Sequence, residues 1–381
     1  MVLKNKPYWR LSGFYFFYFA SLGILVPYWG LYLQWQGFSA QAIGELTAIL
    51  LVTRVVAPNI WGWIADRNGQ RIRIVRLGSL LSAIAFAGIL LDHSYSWIAA
   101  ILVTFSFFWN ATLPQFEATT LLHLGEHSHH YSRIRIWGSI GFIIIVSVLG
   151  SLLEHFDASI IPYAMLISLV AIWLVSLTVP ESPSHSLDLV HTPLMIILKR
   201  PEVLAFLAIC FLVQLSHGPY YTFYTIYLEQ HHYSRALIGQ LWALGVVAEV
   251  IVFLFMHQWL PRYGIRKVLL TSLILSSLRW LIIGFYPDSL LLLLFAQLLH
   301  AASFGTFHVA AIEWVHQNFI GKNQGRGQGL YSSIGFGAGG ALGSLLSGYF
   351  WLSPGPTATF SIAAFATALA FIICFRWIKN T

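Results

Sequence analysis

Charge is what this chain has least of. Only 9% of its 381 residues are Asp, Glu, Lys or Arg, against 57% hydrophobic, whereas a soluble globular chain carries roughly 25% charged residues. That scarcity excludes water as the main solvent, and a mean hydropathy of +0.72 agrees. Cysteine is nearly absent: Cys210 and Cys374 both fall inside apolar runs, which argues against a disulfide framework and a cysteine-based metal site. No Walker sequence, nucleophile elbow or zinc-protease motif occurs. ATP-driven pumping, those modes of catalysis and a bound metal or cofactor therefore have no support, and no enzyme activity is expected. The nearest metal-like grouping, His123, His127, His129 and His130, lies in one polar loop without a cysteine partner.

What is present is long apolar runs, each able to cross about 30 Å of hydrocarbon at 1.5 Å per residue. Twelve are read at 11–33, 41–65, 73–91, 95–121, 134–153, 159–179, 203–228, 237–259, 267–286, 289–318, 328–350 and 357–377. The fold class is thus an all-α membrane protein with twelve transmembrane helices. One side collects 18 of the 21 basic residues, and Arg235 alone falls in the opposite loops, which hold Asp92, Glu154, Asp157, Glu229 and Asp288. Positive loops stay cytoplasmic, so a multi-pass protein of the plasma (inner) membrane with both termini in the cytoplasm is expected. The net charge of +7 is then a topology signal, and no nucleic-acid partner is expected. Lys4, Lys6 and Arg10 precede an apolar run too long for a signal peptide and without a small-residue cleavage site, so span 1 is expected to be retained.

The chain also repeats itself. At an offset of 195, Tyr32, Leu33, Ser39, Ile43, Gly44 and Leu46 meet Tyr227, Leu228, Ser234, Ile238, Gly239 and Leu241, and Arg67, Gly69 and Arg71 meet Arg262, Gly264 and Arg266. Near offsets of 194 and 193, Ser139 to Phe142 recurs as Ser333 to Phe336, and Leu149 to Leu153 as Leu342 to Leu346. Two pseudo-symmetric six-helix halves follow, 1–180 and 201–381, joined by a cytoplasmic linker at 181–200. Even-numbered copies share one orientation, and sites in such folds lie between the halves near the midplane. Gly335, Gly337 and Gly340 satisfy a dinucleotide-binding string, but no strand precedes them; Gly335, Gly339 and Gly343 read instead as a helix-packing stripe.

Between spans 2 and 3, Gly62-Trp63-Ile64-Ala65-Asp66-Arg67-Asn68-Gly69-Gln70-Arg71 resembles the signature loop of the major facilitator superfamily. The resemblance implies a gate latch: Asp66 caps a helix or pairs with an arginine, and Gly69 permits the turn. In the second copy Pro261 replaces Asp66. Span 1, with Tyr18 to Trp29, and the second-half segments Ser216 to Tyr221, Leu278-Arg279-Trp280 and Leu299 to His308 are similar to the branch holding lactose permease and the phenylpropionate permeases. That branch implies substrate binding by Glu117 and Arg135, eighteen residues apart and followed by Gly138 and Gly141. It also implies a place in proton coupling for Arg279 and His300. The sequence departs from the branch at Ser303, where a glutamate is expected.

Charges inside spans are expensive, each about 2.5 to 3.5 kcal/mol at a helix centre, and are functional by default. Arg54 stands twelve residues before Asp66, and its counterpart at offset 195 is Glu249. The two sit at matching depth, either as an interhelical ion pair or as working residues. Glu249 is the leading proton carrier and His300 its rival; His217 and His308 are expected to be packing residues. Tyr15, Tyr18, Tyr28, Trp29 and Trp109 suit an arene or a sugar face equally, and Arg54 favours an anion. The expected activity is proton-coupled symport of a small organic solute, an aromatic carboxylate first, by a monomeric carrier in the bilayer. A sugar or nucleoside symporter and a non-transporting solute sensor are the alternatives.

Overall fold

The computed structural model describes residues 7–181, 194–321 and 323–379, the side chain of His129 excepted. The expected linker falls largely outside the described residues. Among the described residues, eleven helices are long and apolar enough to cross a membrane. Spans 1 to 6 are Tyr8–Trp35, Ala40–Asn68, Arg71–Leu90, Tyr95–Ser128, Tyr131–Leu152 and Ile160–Thr178. Spans 7 to 10 are Pro201–Gln230, Arg235–Tyr263, Ile265–Phe285 and Leu290–Asn318, and span 12 is Pro356–Trp377. Span 11 is assembled from Asn323–Tyr331, a π-helical stretch Ser332–Gly339 and Gly340–Phe350. A second π-helical stretch, Ala301–Thr306, interrupts span 10. Both wide turns lie in the second half, and such bulges often mark working sites.

The repeat is written into the helix ends. Spans 2 and 8 begin at Ala40 and Arg235 and end at Asn68 and Tyr263, so both boundaries are 195 residues apart. The side chains of Ser39 and Ser234 each accept a hydrogen bond from the backbone N–H three residues on, satisfying a donor the first turn leaves free. Gly69 and Gly264 each end the helix at positive φ, 65° and 78°, where a side chain would be strained.

Span 5 corrects the sequence register. Gly141 packs on the Phe16 carbonyl, and Gly339 packs on the Phe211 carbonyl. Gly239 packs on Gly150, and Gly44 packs on Gly348. Phe16 and Gly44 map onto Phe211 and Gly239 at offset 195, so Gly141 and Gly150 map onto Gly339 and Gly348 at offset 198. The recurrences at 193 and 194 are therefore about one turn out of structural register, because glycine-rich helices resemble themselves when slid by a turn. The stripe of Gly335, Gly339 and Gly343 does face span 7, against Cys210, Phe211 and Leu215.

The halves meet most closely at the ends bearing the acidic loops. There the glycine pairs Gly44 with Gly348 and Gly150 with Gly239 bring backbones into contact, and Gly30 lies against the Thr222 carbonyl. Hydrogen bonds reinforce the seal. Tyr349 donates to Glu45 at 3.0 Å, Arg235 to the Leu153 carbonyl at 3.1 Å, and the Ala236 N–H to Glu154 at 2.7 Å. The seam is thus closed at one end, and the half-exposed Arg54, Glu117 and Arg135 lie on the other side of it.

Candidate functional site

Glu117, on the part of span 4 beyond Pro114, accepts a hydrogen bond from the Tyr131 hydroxyl at 3.2 Å. Arg135, one turn into span 5, lies with its guanidinium 3.7 Å from the centre of the Phe19 ring and 5.7 Å from that of Tyr15. Gly138 makes room for it, since a Cβ there would come within 2.8 Å of Nη1. Glu117 and Arg135 make no direct ion pair within 4 Å, yet Glu117 interacts electrostatically with both Arg135 and Arg54. Tyr18 interacts with all three, and its ring stacks on Trp109 at 4.8 Å and 7°. Spans 1 and 4 thus stack Trp109 on Tyr18, and Arg54, Glu117 and Arg135 lie within electrostatic reach of that tyrosine.

Tyr28 is not in that group. It is fully buried at the closed seam, where its hydroxyl donates to the Val146 carbonyl at 2.7 Å. Only a proline-bearing aromatic helix was visible in the sequence, and which of its rings face the seal depends on the packing of spans 5 and 8. Arg54 and Glu249 do not pair. Arg54 reaches across to span 11 and rests over Phe336, 5.1 Å from its centre. Glu249 faces His300, with Oε2 to Nε2 at 3.6 Å.

Arg279 is fully enclosed. Its Nε donates to the Ala296 carbonyl and its Nη1 to the Ser303 hydroxyl, both at 3.0 Å. It lies over the rings of Tyr220 and Trp280, 4.2 and 4.5 Å from their centres, while Nη2 has no hydrogen-bond partner among the described residues. Ser303, which departs from the branch pattern, is therefore a neutral acceptor for a buried cation. Tyr220 donates to Gln297, which donates to Tyr224, and the Tyr220 ring lies 5.9 Å from that of His300. His217, fully buried, has Nδ1 2.8 Å from the Val213 carbonyl at the point where span 7 breaks between Ser216 and Gly218. Its Nε2 has no hydrogen-bond partner among the described residues. His308 Nδ1 lies 2.8 Å from the Tyr331 hydroxyl.

The signature loop is tied down by polar contacts. Asp66 pairs with Arg71 at 2.5 Å, and Arg71 also donates to Gln115 of span 4 at 2.6 Å. Arg67 lies over Trp63, and Gly62 faces Gln115. One buried glutamine thus ties the end of span 2 and the start of span 3 to span 4. Sequence reasoning missed Phe336, Tyr131 and Gln115. Each is an ordinary aromatic or amide in a span or polar loop, and only the fold shows which charge it meets.

Residues 8–362 match the model of the MFS_1 like family. The "Probable 3-phenylpropionic acid transporter" of Escherichia coli (strain K12) is 30% identical over 92% of each chain. The "Maltose permease" of Geobacillus stearothermophilus is 24% identical, over 88% of this chain and 86% of that one. Among solved structures, a point mutant of the nucleoside transporter NupG superposes with a TM-score of 0.86 at 18% identity, covering 98% of this chain and 100% of that one. The family match, a fold of twelve spans in two related halves and the signature loop agree: this chain belongs to the MFS_1 like family and is a multi-pass membrane transporter of the major facilitator type.

Proposed function

We propose that this protein is a secondary active transporter that moves a small organic anion, an aromatic carboxylate such as 3-phenylpropionate first, together with protons by alternating access. Both termini lie in the cytoplasm, and the carrier works as a monomer in the inner membrane. The observation that carries this reading is Arg54, a partly buried arginine inside span 2 that meets the Phe336 ring and, among the described residues, forms no ion pair with a carboxylate within 4 Å. A cation at that depth is expensive without a counter-charge, and a substrate carboxylate supplies one bidentately. Arg135 and Glu117 complete the polar contacts, and the stacked Tyr18 and Trp109 offer an aromatic wall.

Glu249 and His300 are the proton-handling pair in this reading, with Arg279 fixing the local positive field behind them. The latch of Gly62, Asp66, Arg67, Gly69 and Arg71 holds the cytoplasmic ends of spans 2 and 3 as the halves rock. The 30% identical relative supports an aromatic acid. A second reading, a nucleoside or sugar permease, is favoured by the likeness to NupG and the maltose permease and by a half-exposed glutamate able to accept from hydroxyl groups.

A thermal-shift panel of 3-phenylpropionate, uridine and maltose separates the two. A ligand at 100 times its dissociation constant stabilises by about 2.7 kcal/mol, and the acid is expected to raise the melting temperature while the neutral solutes do not. Stabilisation by uridine or maltose and not by the acid would favour the second reading.

A further inference from the structure

Phe336 sits in the middle of the π-helical stretch Ser332–Gly339 of span 11. It is packed from its own half by Phe304, His308 and Tyr331, at ring-centre distances of 6.0, 6.3 and 5.7 Å. Its ring meets Arg54 of the other half. The backbone around it is shaped for the same neighbour. A Cβ on Gly337 would stand 2.6 Å from Val55 Cγ2, and Ser333 donates to the Val55 carbonyl at 3.5 Å. One turn of span 11 therefore seats both the backbone beside Arg54 and its guanidinium.

A planar guanidinium has two faces and a rim of five N–H donors. A ring laid against a face attracts the cation and fixes its plane without using a donor. Among the described residues Arg54 makes no hydrogen bond and no ion pair within 4 Å, Glu117 acting on it only from further off, so the whole rim remains available to a planar carboxylate. Resting on the reading of Arg54 as an anion ligand, we propose that Phe336 is a positioning residue of that site. The second half holds the first half's arginine in the plane that receives the substrate carboxylate. The site is then complete only when span 11 lies against span 2. Phe304 also stacks on His300 at 5.5 Å and 10°, so the ring that orients Arg54 packs against a neighbour of the residue facing Glu249.

The test is binding of 3-phenylpropionate and of its uncharged amide to the purified carrier, measured calorimetrically on wild type, Phe336→Leu, Phe336→Tyr, Arg54→Gln and the Arg54→Gln/Phe336→Leu double variant. Phe336→Leu should weaken the acid by roughly fivefold, the ratio expected for loss of a partly solvated cation–π contact, and leave the amide unchanged. Phe336→Tyr should bind the acid as wild type does. In the Arg54→Gln background Phe336→Leu should add nothing. Equal weakening of acid and amide, an undiminished acid affinity in Phe336→Leu, or an effect that persists without Arg54 would overturn the proposal. Normal acid binding by Arg54→Gln, or no acid binding by wild type, would overturn the anion reading beneath it. If Phe336→Leu does not fold, Phe336→Met fills similar space without a ring face and carries the same comparison.

Discussion

Glu249 of span 8 and His300 of span 10 face each other with 3.6 Å between Oε2 and Nε2, and their side chains are only 14% and 8% exposed. A carboxylate and an imidazole this close are one unit: a proton on either changes the charge that the other meets. Sequence reasoning set them as rivals, and the geometry joins them.

Glu249→Gln and His300→Gln should therefore both abolish uphill, gradient-driven accumulation. Exchange of solute across the membrane should be spared, because exchange needs no net proton movement. Accumulation and exchange measured on both variants in the same vesicle preparation check this. Full accumulation by Glu249→Gln would remove the carboxyl from coupling, and full accumulation by His300→Gln alone would return the role to Glu249 by itself.

The glycine seam makes a conformational prediction. A Cβ on Gly44 would lie 2.7 Å from the Gly348 Cα and 2.8 Å from the Ser344 carbonyl oxygen, and backbone does not yield as a flexible side chain does. Gly44→Val should hold the acidic-loop ends of the halves apart. Pulsed electron paramagnetic resonance between spin labels at Asp92 and Asp288 should give a longer mean distance than in the parent protein. An unchanged distance would mean that the seam tolerates a side chain.

The Arg135 guanidinium lies over Phe19, 3.7 Å from the ring centre. Lysine keeps the charge but loses the planar fork and its stacking. Arg135→Lys should weaken acid binding by about tenfold, a loss of about 1.4 kcal/mol within the range for such contacts. Calorimetry reads it, and wild-type affinity and uptake would remove Arg135 from the site.

The 18 basic residues gathered on one side predict cytoplasmic termini. In intact cells a cysteine at Asp288 should react with an impermeant thiol reagent, and one at Asn68 should not. The reverse pattern would invert the orientation.

The span count, the signature loop and the repeat were legible in the sequence because each rests on a local or periodic signal. Apolar length marks the spans, and serine caps and turn glycines recur 195 residues apart. Register between glycine-rich spans was not legible, since Gly335, Gly339 and Gly343 repeat every four residues. The site was half legible. Buried charge singled out Arg54, Glu249 and Arg279, but a charge does not say what it touches. Arg54 proved to meet a ring, Glu249 a histidine, and Arg279 a serine and two aromatics. Tyr28 lies at the seal, apart from the charges, and this too was not legible, because aromatic content in span 1 does not separate rings in the seal from rings beside the charges.

Net anion and proton movement in one vesicle tests the central claim most directly. In proteoliposomes given an inward proton gradient, radiolabelled 3-phenylpropionate should accumulate above its external concentration, with proton entry that begins on addition of the acid and disappears in Arg54→Gln. Uptake that only equilibrates, or that Arg54→Gln performs as well as wild type, would contradict proton-coupled transport of an organic anion by this carrier.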